Sequence, residues 1–526
     1  MKLCTAAEMR ALEEAAARAG RPPEALMEEA GLAVAQEVWI ELGAVPERKV
    51  AVLVGPGNNG GDGLVAARHL HDMGAHVVVV LLAKRAEDDA NLKLLIERDI
   101  RILSLSKDAS ALDEALAGAE AIVDAVLGTG RARPLEGALA AALDRVSRAR
   151  TESVLAPRVF AVDLPTGIDC DTGAAAPHAL RADVTIALGC SKVGLHTLPG
   201  AEYAGRVEVV DIGLPEDAID ALPVELLNPR WVRERLPARP SGANKGTFGR
   251  VLVVAGSKRY AGAARLASLG ALRSGAGLVT LACPAGVQPL VAPKASEITY
   301  LPLTDRDGAA AGTKADFVTG EGGVDVARAL PGYDALLIGP GLGQGARQES
   351  FLRQLLFSLP EDGPPVLIDA DGLNNLSKLP HWWKSAPEGR CVLTPHPGEQ
   401  ARLTRASIAE VQHDRLSSAR NAARAWGQTV VLKGAYTVVA APDGRAAVNP
   451  YANPALASAG TGDVLAGAIA GLLAQGLPPF EAACCGVYLH AAAAEGLRGD
   501  SGDAGLLAGD LLPELPRTMR ELKGLG

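Results

Sequence analysis

The chain has 526 residues, 48% hydrophobic and 21% charged, with a formal net charge of −9. Its length predicts more than one domain, and its composition is that of ordinary globular proteins. The acidic balance excludes a basic footprint for non-specific nucleic-acid binding, and no apolar run approaches the roughly 18 residues that span a bilayer.

Aromatic residues are only 3%, while alanine and glycine abound, as in cores where helices pack closely on sheets. The seven cysteines are odd in number and form no CxxC, so neither a disulfide framework nor a structural zinc is expected. The first segment is an amphipathic helix with Thr5 and Glu8 spaced as a capping box, without the continuous apolar stretch of a signal peptide. A cytoplasmic protein is expected.

Residues 1–45 read as helical. Lys49–Val54 (KVAVLV) reads as a strand buried on both faces of a parallel sheet. It runs into Gly55-Pro-Gly-Asn-Asn-Gly-Gly-Asp-Gly63, then a helix over Leu64–Met73 and a strand over Ala75–Ala83. Gly55, Gly57 and Gly60 fit the G-x-G-x-x-G pattern in its proper strand–loop–helix setting. Lys84 and Arg85 stand where that pattern places an acid on the ribose, and they suit a 2′-phosphate. Asn58, Asn59 and Asp62 either shape the turn or bind a cation or polar ligand. As a set after a buried strand they favour binding.

Two more strands end in acids beside glycine turns: Ala121–Val126 with Asp124, and Val159–Leu164 with Asp163 ahead of Pro165-Thr-Gly. Either aspartate alone reads as a cap or turn residue. With Asn59 they make an oxygen-rich cluster for a hard cation, with one acid left for proton transfer. Val184–Leu188 and Arg206–Val210 complete the sheet.

These motifs, GPGNNGGDG, VDAVLGTG and VDLPTGID, resemble those of the NAD(P)H-hydrate epimerase domain over roughly residues 1–215. The resemblance implies a Rossmann-like fold that interconverts the epimers of hydrated nicotinamide dinucleotides. It implies that Asn58, Asn59, Gly60, Gly61 and Asp62 line the ligand site, with Gly128, Thr129, Gly130, Arg131, Ala132, Arg133 and Pro134. It places potassium on Asn59, Asp124 and Thr166, and makes Asp163 the substrate-contacting acid/base. Thr166 stands where serine is commoner and keeps the hydroxyl.

Leu214–Asn244 is proline-rich without strand alternation and reads as a connector with a short helix over Pro229–Leu236. The expected domains are 1–225 and 226–526. Beyond the connector, buried strands at Arg250–Ala255, Leu278–Cys283, Asp334–Ile338, Pro365–Asp369, Cys391–Leu393 and Thr429–Leu432 each end in a glycine or polar loop. That repetition predicts a doubly wound sheet with its site on the carboxyl edge.

The loops divide by chemistry. Gly339-Pro-Gly-Leu-Gly343 offers close backbone approach. His396 is a structural hydrogen-bonder or a ligand contact. Glu399 sits in a helix's first turn or helps hold magnesium through water. Lys433 is solvated or grips phosphates. The GTGD turn at 460–463 opens into an apolar helix whose free N–H groups suit a phosphate. Asp463 is its cap or the base that accepts a hydroxyl proton.

This half resembles the ribokinase-like ADP-dependent NAD(P)H-hydrate dehydratases through NKGTFG, AGSKRYAGAA, GPGLG, DADGLN, TPHPGE, KGAYT and NPALASAGTGDVLAG, over almost all of 240–510. The resemblance implies that ADP is bound by Lys433, Gly434, Ala435, Tyr436 and Thr437 and by Asn453, Pro454, Ala455, Leu456, Ala457, Ser458, Ala459, Gly460, Thr461 and Gly462. It implies that Ala264, Gly343, His396 and Asp463 contact the hydrated dinucleotide. Asn244 stands where many members carry histidine, and no role is assigned to it.

The expected fold class is α/β: a Rossmann-like three-layer domain followed by a ribokinase-like one. The expected activity is epimerisation of NADH hydrate and NADPH hydrate, followed by dehydration of the S form with ADP, giving AMP and phosphate. Mg2+ and K+ are the expected ions, small molecules the partners, and a homo-oligomer the assembly. The rivals are a vitamin-alcohol kinase on the same scaffold, and an N-terminal half that is a non-catalytic dinucleotide sensor.

Overall fold

Val50, Val52 and Val54 point into one apolar core, and Ala51 and Leu53 point into another. This is the period-two geometry of a strand covered on both faces. The computed structural model describes every residue except 44–45, 87, 106–109, 130–134, 153–155, 304–317, 319 and 525–526. It divides into two units, Lys2–Val224 and Glu225–Gly526.

In the first unit, Lys49–Val54 (β1), His76–Leu81 (β2), Arg101–Ser104 (β3), Ala121–Ala125 (β4), Arg158–Val162 (β5), Val184–Leu188 (β6) and Arg206–Val210 (β7) form a parallel sheet. Their order is β3-β2-β1-β4-β5-β6-β7. Helices Ala6–Arg18, Pro23–Leu42 and Asn58–Asp72 cover one face, and Ala111–Leu116 and Gly137–Glu152 the other. The order reverses between β1 and β4, which leaves a crevice at their carboxyl ends.

The Thr5–Glu8 capping box forms, but the start of the chain is not wholly helical. Lys2–Cys4 is a strand, paired in parallel with Ser191–Lys192. A second correction concerns NNGGDG. It is not a loop ahead of a helix, because the helix already starts at Asn58. Asn58 and Asn59 are therefore first-turn residues rather than turn-shapers, and Asp62 lies in the turn after them.

In the second unit, Arg250–Val254 (β8), Leu278–Pro284 (β9), Thr299–Leu303 (β10), Ala335–Ile338 (β11), Val366–Ile368 (β12), Cys391–Leu393 (β13), Thr429–Leu432 (β14), Val438–Ala440 (β15) and Ala446–Val448 (β16) run in the order β10-β9-β8-β11-β12-β13-β14-β15-β16. Pairing is parallel up to β14 and antiparallel beyond it. The strand–loop–helix repetition thus fails after Leu432, where KGAYT is a hairpin turn. Helix Thr461–Ala474 packs on helix Ala261–Arg273 through small residues, and a Cβ on Gly467 would collide with the Ala267 carbonyl.

All seven cysteines are free and buried. Among the described residues, no helix is long and apolar enough to cross a membrane.

Candidate active sites

The β1–β4 crevice holds a cleft of about 600 Å³ whose lining includes Glu13, Asn58, Asn59, Asp62, Gly128 and Asp163. Thr129 also lines it. Gly60 and Gly61 are buried in the same helical turn. Gly60 is required there, since a Cβ would strike the Gly55 carbonyl and the Arg85 guanidinium. Gly130, Arg131, Ala132, Arg133 and Pro134 lie outside the described residues.

Arg85 does not wait for a 2′-phosphate. Its Nη1 donates to the carbonyls of Gly55 (2.7 Å) and Gly57 (3.1 Å), and its Nε donates to Asp89 (2.8 Å). It clasps the glycine loop instead.

Asp163 follows β5 with φ +69°, a conformation uncommon for residues bearing a Cβ and concentrated at functional sites. Its Oδ1 accepts from the Leu188 N–H at 3.1 Å and from the ammonium of Lys192. Sequence reasoning missed Lys192, which has no exposed surface. Burial and then the Asp163 charge raise the carboxyls of Asp62 and Glu13. Burial disfavours the charge on Lys192, but Asp163 outweighs it and the ammonium is held above its usual value.

Asp124 is fully buried. Its Oδ1 accepts from the Thr166 hydroxyl (2.6 Å) and its Oδ2 from the Thr166 N–H (2.8 Å). Burial pushes its carboxyl up to about 6 despite those bonds. The Asn59 amide, beside Gly128, carries a buried nitrogen with no partner. That nitrogen is a donor and does not ligate a cation; the Asn59 Oδ1, the Asp124 carboxylate and the Thr166 hydroxyl are the oxygens of the kind a hard monovalent cation takes.

In the second unit, Lys433 Nζ lies 2.6 Å from Asp369 Oδ1, which also accepts from the Thr394 hydroxyl at 2.7 Å. The lysine is therefore not simply solvated. Burial acts against its charge, but Asp369, Glu399 and Asp463 hold it above the usual value. A Cβ on Gly462 would stand 3.6 Å from this ammonium, so Lys433 reaches the start of the Thr461–Ala474 helix.

Asp463 sits in that helix's first turn, and the cap is Gly460 at φ +91° with no side-chain cap bond. The capping reading of Asp463 is thereby replaced. Burial, then the Asp369 charge, raises its carboxyl to about 7. His490, missed from the sequence, is lowered by burial to about 4 and is neutral near pH 7. Its Nε2 lies 2.9 Å from the Thr461 carbonyl, an acceptor, so Nε2 carries the proton and pins the turn. Asn453 braces the same segment, accepting from Ala455 N–H (2.9 Å) and donating to Glu495 (3.1 Å). Thr461 Oγ1 donates to the carbonyls of Leu456 and Ser458.

His396 caps helix Pro397–Thr404: its Nδ1 accepts from the Gly398 N–H at 3.0 Å, and Glu399 accepts from the His396 N–H at 2.9 Å. Burial raises Glu399 to about 7. Gly343 N–H donates to Asp371 Oδ2 at 2.9 Å. Ala264 has no exposed surface, so the structure does not present it to a ligand. Asn244 accepts from the Gly246 N–H at 2.9 Å and caps the short turn Lys245–Phe248.

Gly434 (φ +140°) and Tyr436 (φ +51°) give the hairpin after β14 its sharp form. Arg415, also missed, donates from Nη2 to the carbonyls of Leu432 (3.0 Å) and Lys433 (3.1 Å) beneath it. Among the described residues no three His, Cys, Asp or Glu gather as a metal site. Asp369, Glu399 and Asp463 are the carboxyls whose charges act on Lys433, oxygen donors of the kind magnesium takes.

Family models match both units: residues 251–517 match one described as NAD(P)H-hydrate dehydratase, and residues 23–194 one described as YjeF-related protein N-terminus. The bifunctional NAD(P)H-hydrate repair enzyme Nnr of Moorella thermoacetica is 40% identical over 99% of this chain and 97% of its own length. That of Thermofilum pendens is 37% identical over 99% and 97%. Among solved structures, an ADP/ATP-dependent NAD(P)H-hydrate dehydratase from Bacillus subtilis, co-crystallised with ATP and Mg2+, is 34% identical over 57% of this chain and 100% of its own, with a TM-score of 0.47. With full-length relatives at this identity, and a matching model on each unit, the chain belongs to the family of bifunctional NAD(P)H-hydrate repair enzymes.

Proposed function

We propose that the N-terminal unit interconverts the R and S forms of NADH hydrate and NADPH hydrate, and that the C-terminal unit dehydrates the S form with ADP. The observation that carries the reading is Asp463: a carboxyl raised to about 7 in the first turn of a helix, within the field of Lys433. A base poised near neutral pH is what removal of a ring hydroxyl proton requires.

In the C-terminal unit Asp463 takes the proton of the ring hydroxyl, whose oxygen attacks the terminal phosphorus of ADP. The bond from that phosphorus to the bridging oxygen breaks and releases AMP. The ring nitrogen then pushes out phosphate, the neighbouring ring carbon loses a proton, and the reduced dinucleotide is restored. The N–H groups opening the Thr461–Ala474 helix and the Lys433 ammonium stabilise charge on the transferring phosphoryl group. Glu399 would help hold Mg2+, which would neutralise phosphate charge when bound.

In the N-terminal unit Asp163 accepts and returns a proton at the hydrated carbon. Asn58, Asn59, Asp62, Gly128 and Thr129 cradle the dinucleotide. Asn59, Asp124 and Thr166 would hold K+, which would supply a fixed positive charge there. A cytoplasmic setting agrees with seven free, buried cysteines.

The test is to incubate the chain with separated R and S hydrates, with and without ADP and Mg2+, and follow both epimers, NAD(P)H and AMP by chromatography. Interconversion without ADP and stoichiometric NAD(P)H and AMP with it are expected. No NAD(P)H from the hydrates, with a supplied vitamin alcohol phosphorylated instead, favours the kinase reading, and absent interconversion favours the sensor reading.

A further inference from the structure

Lys192 is a fully buried lysine beneath an acidic cleft. It stands on the two-residue strand Ser191–Lys192, opposite Cys4 in register. Its ammonium makes an ion pair with Asp163 Oδ1 and donates to the Leu188 carbonyl at 2.9 Å. Leu188 returns its own N–H to the same Oδ1 at 3.1 Å. Two donors thus hold one carboxylate oxygen, while Asp163 itself lines the cleft. Oδ2 is the oxygen left for a substrate.

The charges around Asp163 come from several elements. Asp62 faces it from helix Asn58–Asp72, and Glu13 from helix Ala6–Arg18. Cys170 lies within its field in the loop beyond, and Cys4 lies within that of Lys192. Arg10 acts on Glu13 and Arg85 on Asp62. Lys192 is the cation bonded to Asp163.

We propose that Lys192 is a positioning residue for epimerisation: by fixing Oδ1 it holds the Asp163 side chain in its left-handed backbone and aims Oδ2 at the hydrated carbon. The proposal rests on the reading of the N-terminal unit as an epimerase. A salt bridge that served only folding would be replaceable by a well-packed apolar side chain without loss of turnover.

The experiment uses the full chain as wild type, Lys192→Met and Lys192→Arg, with pure R hydrate and kcat and KM measured for each. Lys192→Met is expected to lower kcat by roughly 10²-fold with KM nearly unchanged. Lys192→Arg is expected to recover part of kcat. A folded Lys192→Met that keeps the wild-type kcat, or whose loss lies in KM, overturns the proposal, and so does Lys192→Arg with no more activity than Lys192→Met. If Lys192→Met does not fold, Lys192→Gln takes its place under the same criteria. If a folded variant is too slow to measure, wild-type-like hydrate binding supports positioning and lost binding overturns it. Wild-type chain that fails to interconvert the epimers overturns the epimerase reading instead, and dehydration of the S form shows separately that the C-terminal unit is intact.

Discussion

Lys433 and Asp369, 64 positions apart in the chain, meet through a 2.6 Å contact between Nζ and Oδ1 at the carboxyl ends of β14 and β12, on either side of β13. The aspartate is almost wholly buried, and the lysine continues past it towards the first turn of the Thr461–Ala474 helix. The pair therefore has two duties: it satisfies a buried charge, and it sets a cation at the phosphate end of the site.

Removing one partner should do more harm than removing an exposed ion pair. Lys433→Met leaves Asp369 buried with only the Thr394 hydroxyl, and breaking a buried pair costs about 3–5 kcal/mol, less here because the lysine is partly exposed. Thermal unfolding of Lys433→Met should shift downward, and ADP affinity by calorimetry should fall. A variant as stable as wild type that binds ADP as tightly would show that the pair does neither job.

The pH dependence of dehydration follows from Asp463. Its carboxyl is raised to about 7 and must be ionised to act as a base. Protonation below that pH removes the base, so kcat/KM should fall about tenfold per unit as pH drops through about 7. Glu399 lies in the same range. Glu399→Gln separates the two: the acid limb that persists in this variant belongs to Asp463.

The N-terminal ion site predicts a selective response to salt. Exchanging Na+ for K+ at constant ionic strength should raise the melting temperature of the wild type and speed epimerisation. Asp124→Asn removes a carboxylate that the Thr166 hydrogen bonds favour against burial, and should abolish the K+ effect. Equal responses of wild type and variant in differential scanning fluorimetry would remove K+ from Asp124.

Arg415 should control the nucleotide hairpin without touching the ligand. It donates to two consecutive carbonyls at the end of β14, below Gly434. Arg415→Ala leaves those buried acceptors unpaired, at about 1–3 kcal/mol. The KM for ADP should rise more than kcat falls. An unchanged KM would mean that the hairpin keeps its form unaided.

What the sequence made legible was local. KVAVLV announced a two-faced strand, and glycine-rich segments after strands marked the carboxyl edge where Asp163 and Asp463 stand. The misses are contacts between distant segments. Lys192 carries no signal until the fold brings it to Asp163, and Asp369 reads as a strand end until Lys433 arrives. Arg85 suited a ligand phosphate only while its bonds to the Gly55 and Gly57 carbonyls were invisible. NNGGDG read as a loop because its glycines mask a helical first turn whose small size is needed for close packing. Gly130–Pro134 lie outside the described residues.

The most direct measurement compares wild type with Asp463→Ala on a mixture of R and S hydrates, with ADP and Mg2+, following NAD(P)H and both epimers in one reaction. The account predicts that wild type consumes both epimers and forms NAD(P)H and AMP. In Asp463→Ala, dehydration should fall by roughly 10²–10⁴-fold while the epimers still interconvert. Full dehydration by that variant, or accumulation of a stable phosphorylated dinucleotide by the wild type, would contradict it.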